Sequence, residues 1–187
     1  MIRTKNLMKL LNTLNVIGVA LLLFFGFILQ LGLDELPCPL CLLQRIGLLA
    51  MAFGFLLNIH YPIRPGHYAL VIVSAFFTAV AALRQIVMNA LPPHGYGYPE
   101  FGLHLYTWTF LISAATIFYT AILLSIPGQY AARQTLEHIE EPKPRWVRAL
   151  SHLAFGFLLL MIIGNIVSNF FECGLINCAG NFLTYKL

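Results

Sequence analysis

Residues 42–59 read LLQRIGLLAMAFGFLLNI, an apolar stretch long enough to cross a lipid bilayer. Its single charged residue is Arg45. A transmembrane helix needs about 20 predominantly apolar residues. Lipid offers the backbone no hydrogen-bond partner, so such a segment must satisfy its own polar groups within a helix. This stretch therefore predicts a membrane-spanning helix.

The rest of the chain repeats this pattern. Of the 187 residues, 59% are hydrophobic and 10% are charged, whereas an average soluble domain is about 25% charged. This composition excludes a soluble domain. Apolar stretches of spanning length occur five times, at residues 10–31, 42–59, 68–91, 103–126 and 149–170.

These five stretches predict an all-α integral membrane protein with five transmembrane helices. The connections are too short to hold a second domain, so residues 1–187 form one domain. A cleavable signal peptide is the alternative for the first stretch. That stretch is long, however, and no small-x-small cleavage pattern precedes Asp34.

The positions of the basic residues predict the orientation of the chain. With the N-terminus on side one, Lys and Arg accumulate on that side, at Arg3, Lys5, Lys9, Arg64, Arg133, Lys143, Arg145 and Arg148. Side two holds only Lys186. The positive-inside rule then makes side one cytoplasmic. The connector 127–148 is predicted to be cytoplasmic and the tail 171–187 periplasmic. The basic residues report orientation, and they give no case for nucleic-acid binding.

All four cysteines fall on the predicted outer face. Cys38 and Cys41 lie in the first outer connection, and Cys173 and Cys178, hereafter the tail cysteines, follow the fifth stretch. Disulfides form and persist in an oxidising compartment of this kind. Two structural disulfides, a four-cysteine zinc site and two redox couples remain open. The spacing in CGLINC is wider than that of a typical zinc half-site.

The first cysteine pair favours the redox interpretation. Cys38-Pro39-Leu40-Cys41 follows Pro37 and leads directly into the second stretch. The partial positive charge of a helix N-terminus favours a thiolate over a thiol. The thiolate is the species that attacks disulfides or donates electrons. A merely structural disulfide gains nothing from this position.

Two arginines lie inside predicted spans, where a charge costs at least ~2.5–3.5 kcal/mol. Arg45 follows Cys41 by one helical turn on the same face, and Arg84 lies near the outer end of the third stretch. Snorkelling of Arg45 towards the interface and a hydrogen bond from Arg84 to a helix carbonyl are the structural interpretations. The functional interpretation is that both arginines, with Gln44 and Gln85, bind a membrane quinone. The oxygens of a quinone gain negative charge on reduction.

Several motifs resemble those of DsbB-type disulfide bond formation proteins. Pro37-Cys38-Pro39-Leu40-Cys41 followed by Gln44-Arg45 resembles the family's active-site signature. Ala82-Leu83-Arg84-Gln85 resembles its second arginine region, and Gly102-Leu103 with Trp108 is similar to the start of its fourth span. The resemblance covers residues 10–126.

This resemblance implies a four-helix bundle core that oxidises a periplasmic thioredoxin-like protein of the DsbA type. It also implies that the electrons pass to ubiquinone or menaquinone. Cys38 and Cys41 would be the quinone-coupled pair, Arg45 would help to hold the quinone, and Arg84 would assist.

The sequence departs from the family pattern at the second cysteine pair. In the family this pair lies between spans three and four, but residues 92–104 here read PPHGYGYPEFGLH and contain no cysteine. Cys173 and Cys178 instead follow an additional fifth span, which places them on the same face. We infer from topology that the second pair has moved to another loop on that face.

The leading hypothesis is an inner-membrane thiol:quinone oxidoreductase with Cys38, Cys41, Cys173 and Cys178 as its redox-active residues. A small structural or assembly subunit stapled by two inert disulfides is the alternative from another class. An enzyme of the vitamin K epoxide reductase type is a third hypothesis. That type places its CxxC late in the bundle, whereas this CxxC precedes the second span.

Overall fold

The computed structural model describes residues 2–32, 38–90, 102–130 and 145–173. These residues form five α-helices and, after the fourth helix, a short 3₁₀ turn at Pro127–Gln129. No strand occurs within these ranges, which confirms the all-α prediction. The helices are α1 (Ile2–Gly32), α2 (Pro39–His60), α3 (Pro65–Met88), α4 (Leu105–Leu124) and α5 (Arg145–Cys173).

Four of these helices are long and apolar enough to cross a membrane. Their apolar segments are Asn6–Leu29 in α1 and the whole of α2, α3 and α4. Many large apolar side chains face outwards, among them Phe76 at 63% and Phe118 at 73% exposure, as expected where the surrounding medium is lipid. The chain is therefore a multi-pass membrane protein. The described apolar stretch of α5, His152–Val167, is shorter, and its crossing of the membrane stays a prediction.

Two prolines explain why the helices begin earlier than the apolar stretches. Pro39 and Pro65 occupy the first turns of α2 and α3, where the fixed φ of proline suits a helix and its missing N–H costs nothing. α2 thus begins at residue 39, where hydropathy predicts 42. α3 begins at 65 and ends at Met88, where hydropathy predicts 68–91. Apolarity marks the part of a helix that lies in lipid, and the helix itself extends further.

Two glycines let α2 and α3 approach closely. A Cβ built on Gly47 would overlap Thr78 Oγ1, and one on Gly54 would lie 2.5 Å from Val71 Cγ2. Small residues at such positions allow transmembrane helices to pack backbone to backbone. This contact sets the spacing of the two helices whose outer ends carry the candidate site.

The helices alternate in direction around the bundle. α1 packs against α2, α2 against α3 and α3 against α4. A hydrogen bond of 3.1 Å from Asn15 Nδ2 to Tyr119 Oη links α1 to α4. Cys38, at the start of α2, thus lies at the end of the bundle where α1 and α3 finish; we call this the cysteine end.

α5 packs on the outside of this group, against α1 and α2. The ring of Phe157 contacts Phe24 of α1, with centroids 6.0 Å apart. His152, near the start of α5, lies beside His60, the last residue of α2, with centroids 6.4 Å apart. α5 therefore runs antiparallel to α2 and finishes at the cysteine end.

Buried polar side chains tie the helices together at the opposite end. Asn12 Nδ2 donates to Tyr68 Oη at 3.1 Å, and Tyr68 Oη donates to Gln129 Oε1 at 3.0 Å. Gln129 Nε2 donates in turn to the carbonyl of Leu123. The network fixes α1, α3 and the turn after α4 to one another, far from the cysteines.

Candidate functional site

Cys38 and Cys41, the site thiols, sit at the first turn of α2. Cys38 is the N-cap of the helix, and its Sγ accepts a hydrogen bond of 3.2 Å from the backbone N–H of Cys41. This satisfies one of the N–H groups that a helix start leaves without an intrahelical partner. Both thiols are free and half-buried. The predicted position at a helix N-terminus is confirmed by the described residues.

The two sulfurs also interact with each other. The hydrogen bond between the side chains of Cys38 and Cys41 raises the pKa of Cys38 above the usual thiol range, and burial raises it further. Cys38 therefore favours the thiol form. Cys41 lies one helical turn further along α2.

Gln85 of α3 reaches across to both site thiols. Its Nε2 lies 3.3 Å from Cys38 Sγ and 3.4 Å from Cys41 Sγ, both in donor geometry. Its Oε1 lies 3.8 Å from Cys41 Sγ and accepts from the thiol. Because the packing of Gly47 and Gly54 brings α3 close to α2, a side chain of this length can bridge the pair.

Gln44 completes this group from one turn further along α2. Its Nε2 donates to Gln85 Oε1 at 2.6 Å. Gln44 is 5% exposed and Gln85 2%, so both amides are removed from solvent. Cys38, Cys41, Gln44 and Gln85 thus form one contiguous cluster.

Arg45 lies beneath the site thiols and is directed towards α1. It follows Cys41 by four residues, a spacing that places Cβ atoms about 5–6 Å apart on one helix face. Its Nη2 donates to the carbonyl of Gly26 at 3.5 Å, and its guanidinium carbon lies 4.9 Å from the centre of the Phe27 ring. Arg45 is half-buried, with its charge between α1 and α2.

Arg84 takes a different position from the cluster. It precedes Gln85 by one residue on α3, which turns it to another face of the helix, and its side chain is exposed. The structure therefore brings Gln85 to the thiols and leaves Arg84 on the outer surface of α3. Its predicted contact with a quinone stays a prediction.

Of the tail cysteines, Cys173 is the last residue of α5. From His152 beside His60 to Cys173, α5 rises about 32 Å, and α2 covers about 33 Å between His60 and Cys38. The backbone of Cys173 therefore reaches the cysteine end. Cys178 lies outside the described residues.

The start of α4 carries a stacked pair of rings. His104 is the N-cap residue of α4, and its ring stacks on that of Tyr106, with centroids 5.2 Å apart. Among the described residues, no three His, Cys, Asp or Glu side chains are grouped in a way that could hold a metal ion.

Sequence reasoning missed two partners of Arg45, the carbonyl of Gly26 and the ring of Phe27. The sequence of α1 does not predict either contact, because both depend on how α1 packs against α2. The glycine contacts between α2 and α3 had a detectable signal, because Gly47 and Gly54 are seven residues apart and so share a helix face.

A family model described as disulfide bond formation protein DsbB matches residues 8–97. The matched range contains α2, α3 and the whole Cys38, Cys41, Gln44 and Gln85 cluster. This part of the chain is similar to the DsbB family. The resemblance expected from the sequence is confirmed there, whereas α4, α5 and the tail cysteines lie outside the DsbB match.

Two curated relatives agree with the DsbB assignment. Over 72 residues the chain is 39% identical to the disulfide bond formation protein B of Chromobacterium violaceum, covering 36% of this chain and 43% of the relative. Over 76 residues it is 37% identical to the disulfide bond formation protein B of Aromatoleum aromaticum, covering 38% and 46%. The matches thus span less than half the length of these relatives. No solved structure matches the chain.

Proposed function

We propose that this protein is a thiol:quinone oxidoreductase of the bacterial inner membrane. It reoxidises a periplasmic thioredoxin-like dithiol protein and passes the electrons to ubiquinone or menaquinone. The observation that carries the proposal is the pair of thiols at the N-terminus of α2, with the cation Arg45 one turn deeper in the bundle. The DsbB family match over the same residues supports it.

The residues around Arg45 fit a quinone. A guanidinium offers several N–H donors in one plane, and the surroundings of Arg45 are the apolar faces of α1 and α2. The Phe27 ring adds a flat apolar surface beside those donors. A bound quinone would supply the electron acceptor, taking up the two electrons and two protons released when two partner thiols become one disulfide.

The site thiols have separate roles in this proposal. Cys41 lies nearer to Arg45 along α2, so it delivers the electrons. Cys38 is the N-cap residue of α2, and its sulfur exchanges with the dithiol that brings the electrons. Gln44 and Arg45 lie below the thiols and close the site towards the bundle interior.

We further propose that the tail cysteines receive the electrons first. A thiolate of the partner attacks the Cys173–Cys178 disulfide, one sulfur of that bond leaves as a thiolate, and a mixed disulfide forms. The second partner thiol then releases the tail dithiol, which exchanges with the Cys38–Cys41 disulfide. The position of Cys173 at the end of α5, level with Cys38, supports this order.

This order requires a particular orientation in the membrane. The excess of Lys and Arg at the N-terminus and in the connectors on its side supports a cytoplasmic N-terminus. Cys38 and Cys41 then face the periplasm. With α5 crossing the membrane, the C-terminus and both tail cysteines do so as well.

The test uses the full chain in lipid nanodiscs with a reduced thioredoxin-like dithiol protein and a soluble quinone analogue. We expect one quinol for each disulfide formed. Cys38→Ser and Cys41→Ser should insert in the membrane and be inactive. Failure of the unaltered protein to form quinol would overturn the proposal.

The double variant Cys173→Ser/Cys178→Ser tests the order of transfer. We expect it to lose turnover with the protein partner and to keep turnover with dithiothreitol, a small dithiol that can reach Cys38 directly. Unchanged turnover with the protein partner would show that the tail pair is a structural disulfide. If all four cysteines stay oxidised in cells whatever the quinone supply, the chain is instead a subunit stapled by inert disulfides.

A further inference from the structure

The side-chain amide of Gln85 donates hydrogen bonds to both sulfur atoms of the site. Its nitrogen carries two hydrogens, and the two acceptors in reach are Cys38 Sγ at 3.3 Å and Cys41 Sγ at 3.4 Å. One side chain on α3 therefore donates to both thiols on α2. With 2% of Gln85 exposed, water does not compete strongly for these donors.

Gln44 determines which end of that amide faces the sulfurs. Its Nε2 donates to Gln85 Oε1 at 2.6 Å, which fixes the orientation of the amide in which Gln85 Nε2 faces both sulfurs. If the amide turned over, the Gln44 donor would face the Gln85 N–H groups and both would lose a partner. A buried donor without a partner is costly.

Donation of N–H groups to sulfur has a chemical consequence. A hydrogen bond to the charged form of a group favours that form, and a bond to an ion is roughly twice as strong as one between neutral groups. Low polarity in the bundle strengthens the effect. A donor shared by two sulfurs also keeps them side by side, the arrangement in which a disulfide forms or breaks.

We propose that Gln85 is a positioning residue for the site thiols, with Gln44 as the residue that orients it. Its amide stabilises the thiolate of the reduced pair and holds the two sulfurs together through the redox cycle. This role differs from the contact with a quinone that the sequence suggested for both glutamines. It deepens the proposed function and rests on Cys38 and Cys41 being its redox-active pair.

The experiment measures thiolate formation directly, with neither quinone nor protein partner present. In a Cys173→Ser/Cys178→Ser background, the reduced full chain is alkylated by iodoacetamide at a series of pH values. Gln85→Met keeps the length of the side chain and removes both donors. We expect its alkylation midpoint to move up by about one pH unit, and alkylation at neutral pH to slow about tenfold.

Gln44→Met is the second variant, and it leaves Gln85 in place without its orienting donor. We expect a shift in the same direction and of smaller size. The matched control is Asn89→Ala, because Asn89 Nδ2 donates to the backbone carbonyl of Gln85 at 2.8 Å, and that bond does not involve the side-chain amide of Gln85. The control should titrate like the background protein.

Equilibrium with glutathione gives an independent readout. Loss of a group that stabilises the reduced pair should make the Cys38–Cys41 disulfide harder to reduce in Gln85→Met. If Gln85→Met does not fold, Gln44→Met decides. Midpoints equal to the background in the folded variants would overturn the proposal. A shifted midpoint in a protein that forms no quinol would overturn the proposed function alone.

Discussion

The guanidinium of Arg45 lies against the face of Phe27, with 4.9 Å between its central carbon and the ring centre. The tip of the same ring meets α5, where a Cβ built on Gly164 would lie 3.4 Å from Phe27 Cζ. Phe27 thus stands between the fifth helix and the cation beneath the site thiols. α5 therefore contacts the ring against which that cation lies.

Phe27→Leu should weaken quinone binding, because it removes the aromatic face that holds Arg45. A cation–π contact contributes about 0.5–2 kcal/mol, so we expect the apparent KM for a quinone analogue to rise roughly two- to thirtyfold. Phe24→Leu is the control, since Phe24 contacts Phe157 of α5. Equal effects of the two variants would contradict the specific role of Phe27.

Gly164→Leu should act in the same direction as Phe27→Leu. The added side chain would enter the space that the Phe27 ring occupies, which displaces the ring and with it Arg45. Gly156→Leu is the matched control on the same helix, because nothing lies within 4 Å of a Cβ at that position. A KM unchanged by Gly164→Leu would show that α5 does not support the site.

Arg45→Met should reduce quinone turnover far more than Arg84→Met. Arg45 is half-buried one turn below Cys41, whereas Arg84 is exposed on α3. Initial rates at several quinone concentrations test this. If the Arg84 variant loses as much activity as the Arg45 variant, a quinone binds on the outer face of α3.

Composition and hydropathy were enough to predict an all-α membrane fold, because a chain with apolar stretches of spanning length can form few other structures in lipid. The placement of Cys38 at a helix start could be predicted for the same reason, since Pro39 marks where α2 begins. The partners of Gln85 and Arg45 could not be predicted. They depend on the rotation of α1 and α3 about their axes, which is set by packing at Gly47, Gly54 and Phe27.

Gly54→Ala should destabilise the contact between α2 and α3. Its new methyl group would lie 2.5 Å from Val71 Cγ2 and 3.1 Å from the backbone carbonyl of His67, and overpacking of this kind costs about 1–3 kcal/mol. Thermal unfolding in detergent measures the loss. Gly18→Ala, with nothing within 4 Å, should leave the unfolding temperature unchanged or raise it.

Tyr68→Phe should lower stability without altering the site thiols. The hydroxyl bridges Asn12 and Gln129, which are 0% and 1% exposed, and a buried polar group that loses its partner costs about 1–3 kcal/mol. Tyr68 is about 25 Å along α3 from Gln85, so alkylation of Cys41 should keep its rate.

The matched control for this variant is Tyr61→Phe, because Tyr61 is 59% exposed. It should unfold at the temperature of the unaltered protein. A slower alkylation of Cys41 in Tyr68→Phe would contradict the separation of the two ends of the bundle.

The contact between Gln44 and Gln85 has an electrical consequence. Both side chains are amides, so the group that touches the sulfurs is neutral at every pH, and the membrane voltage exerts no net force on it. A carboxylate in either place would add a titratable group beside the thiols, which would tie the proposed redox cycle to the proton gradient. Because the amides do not change charge, any change of charge in the proposed cycle occurs on the sulfurs and on the molecules that exchange electrons with them.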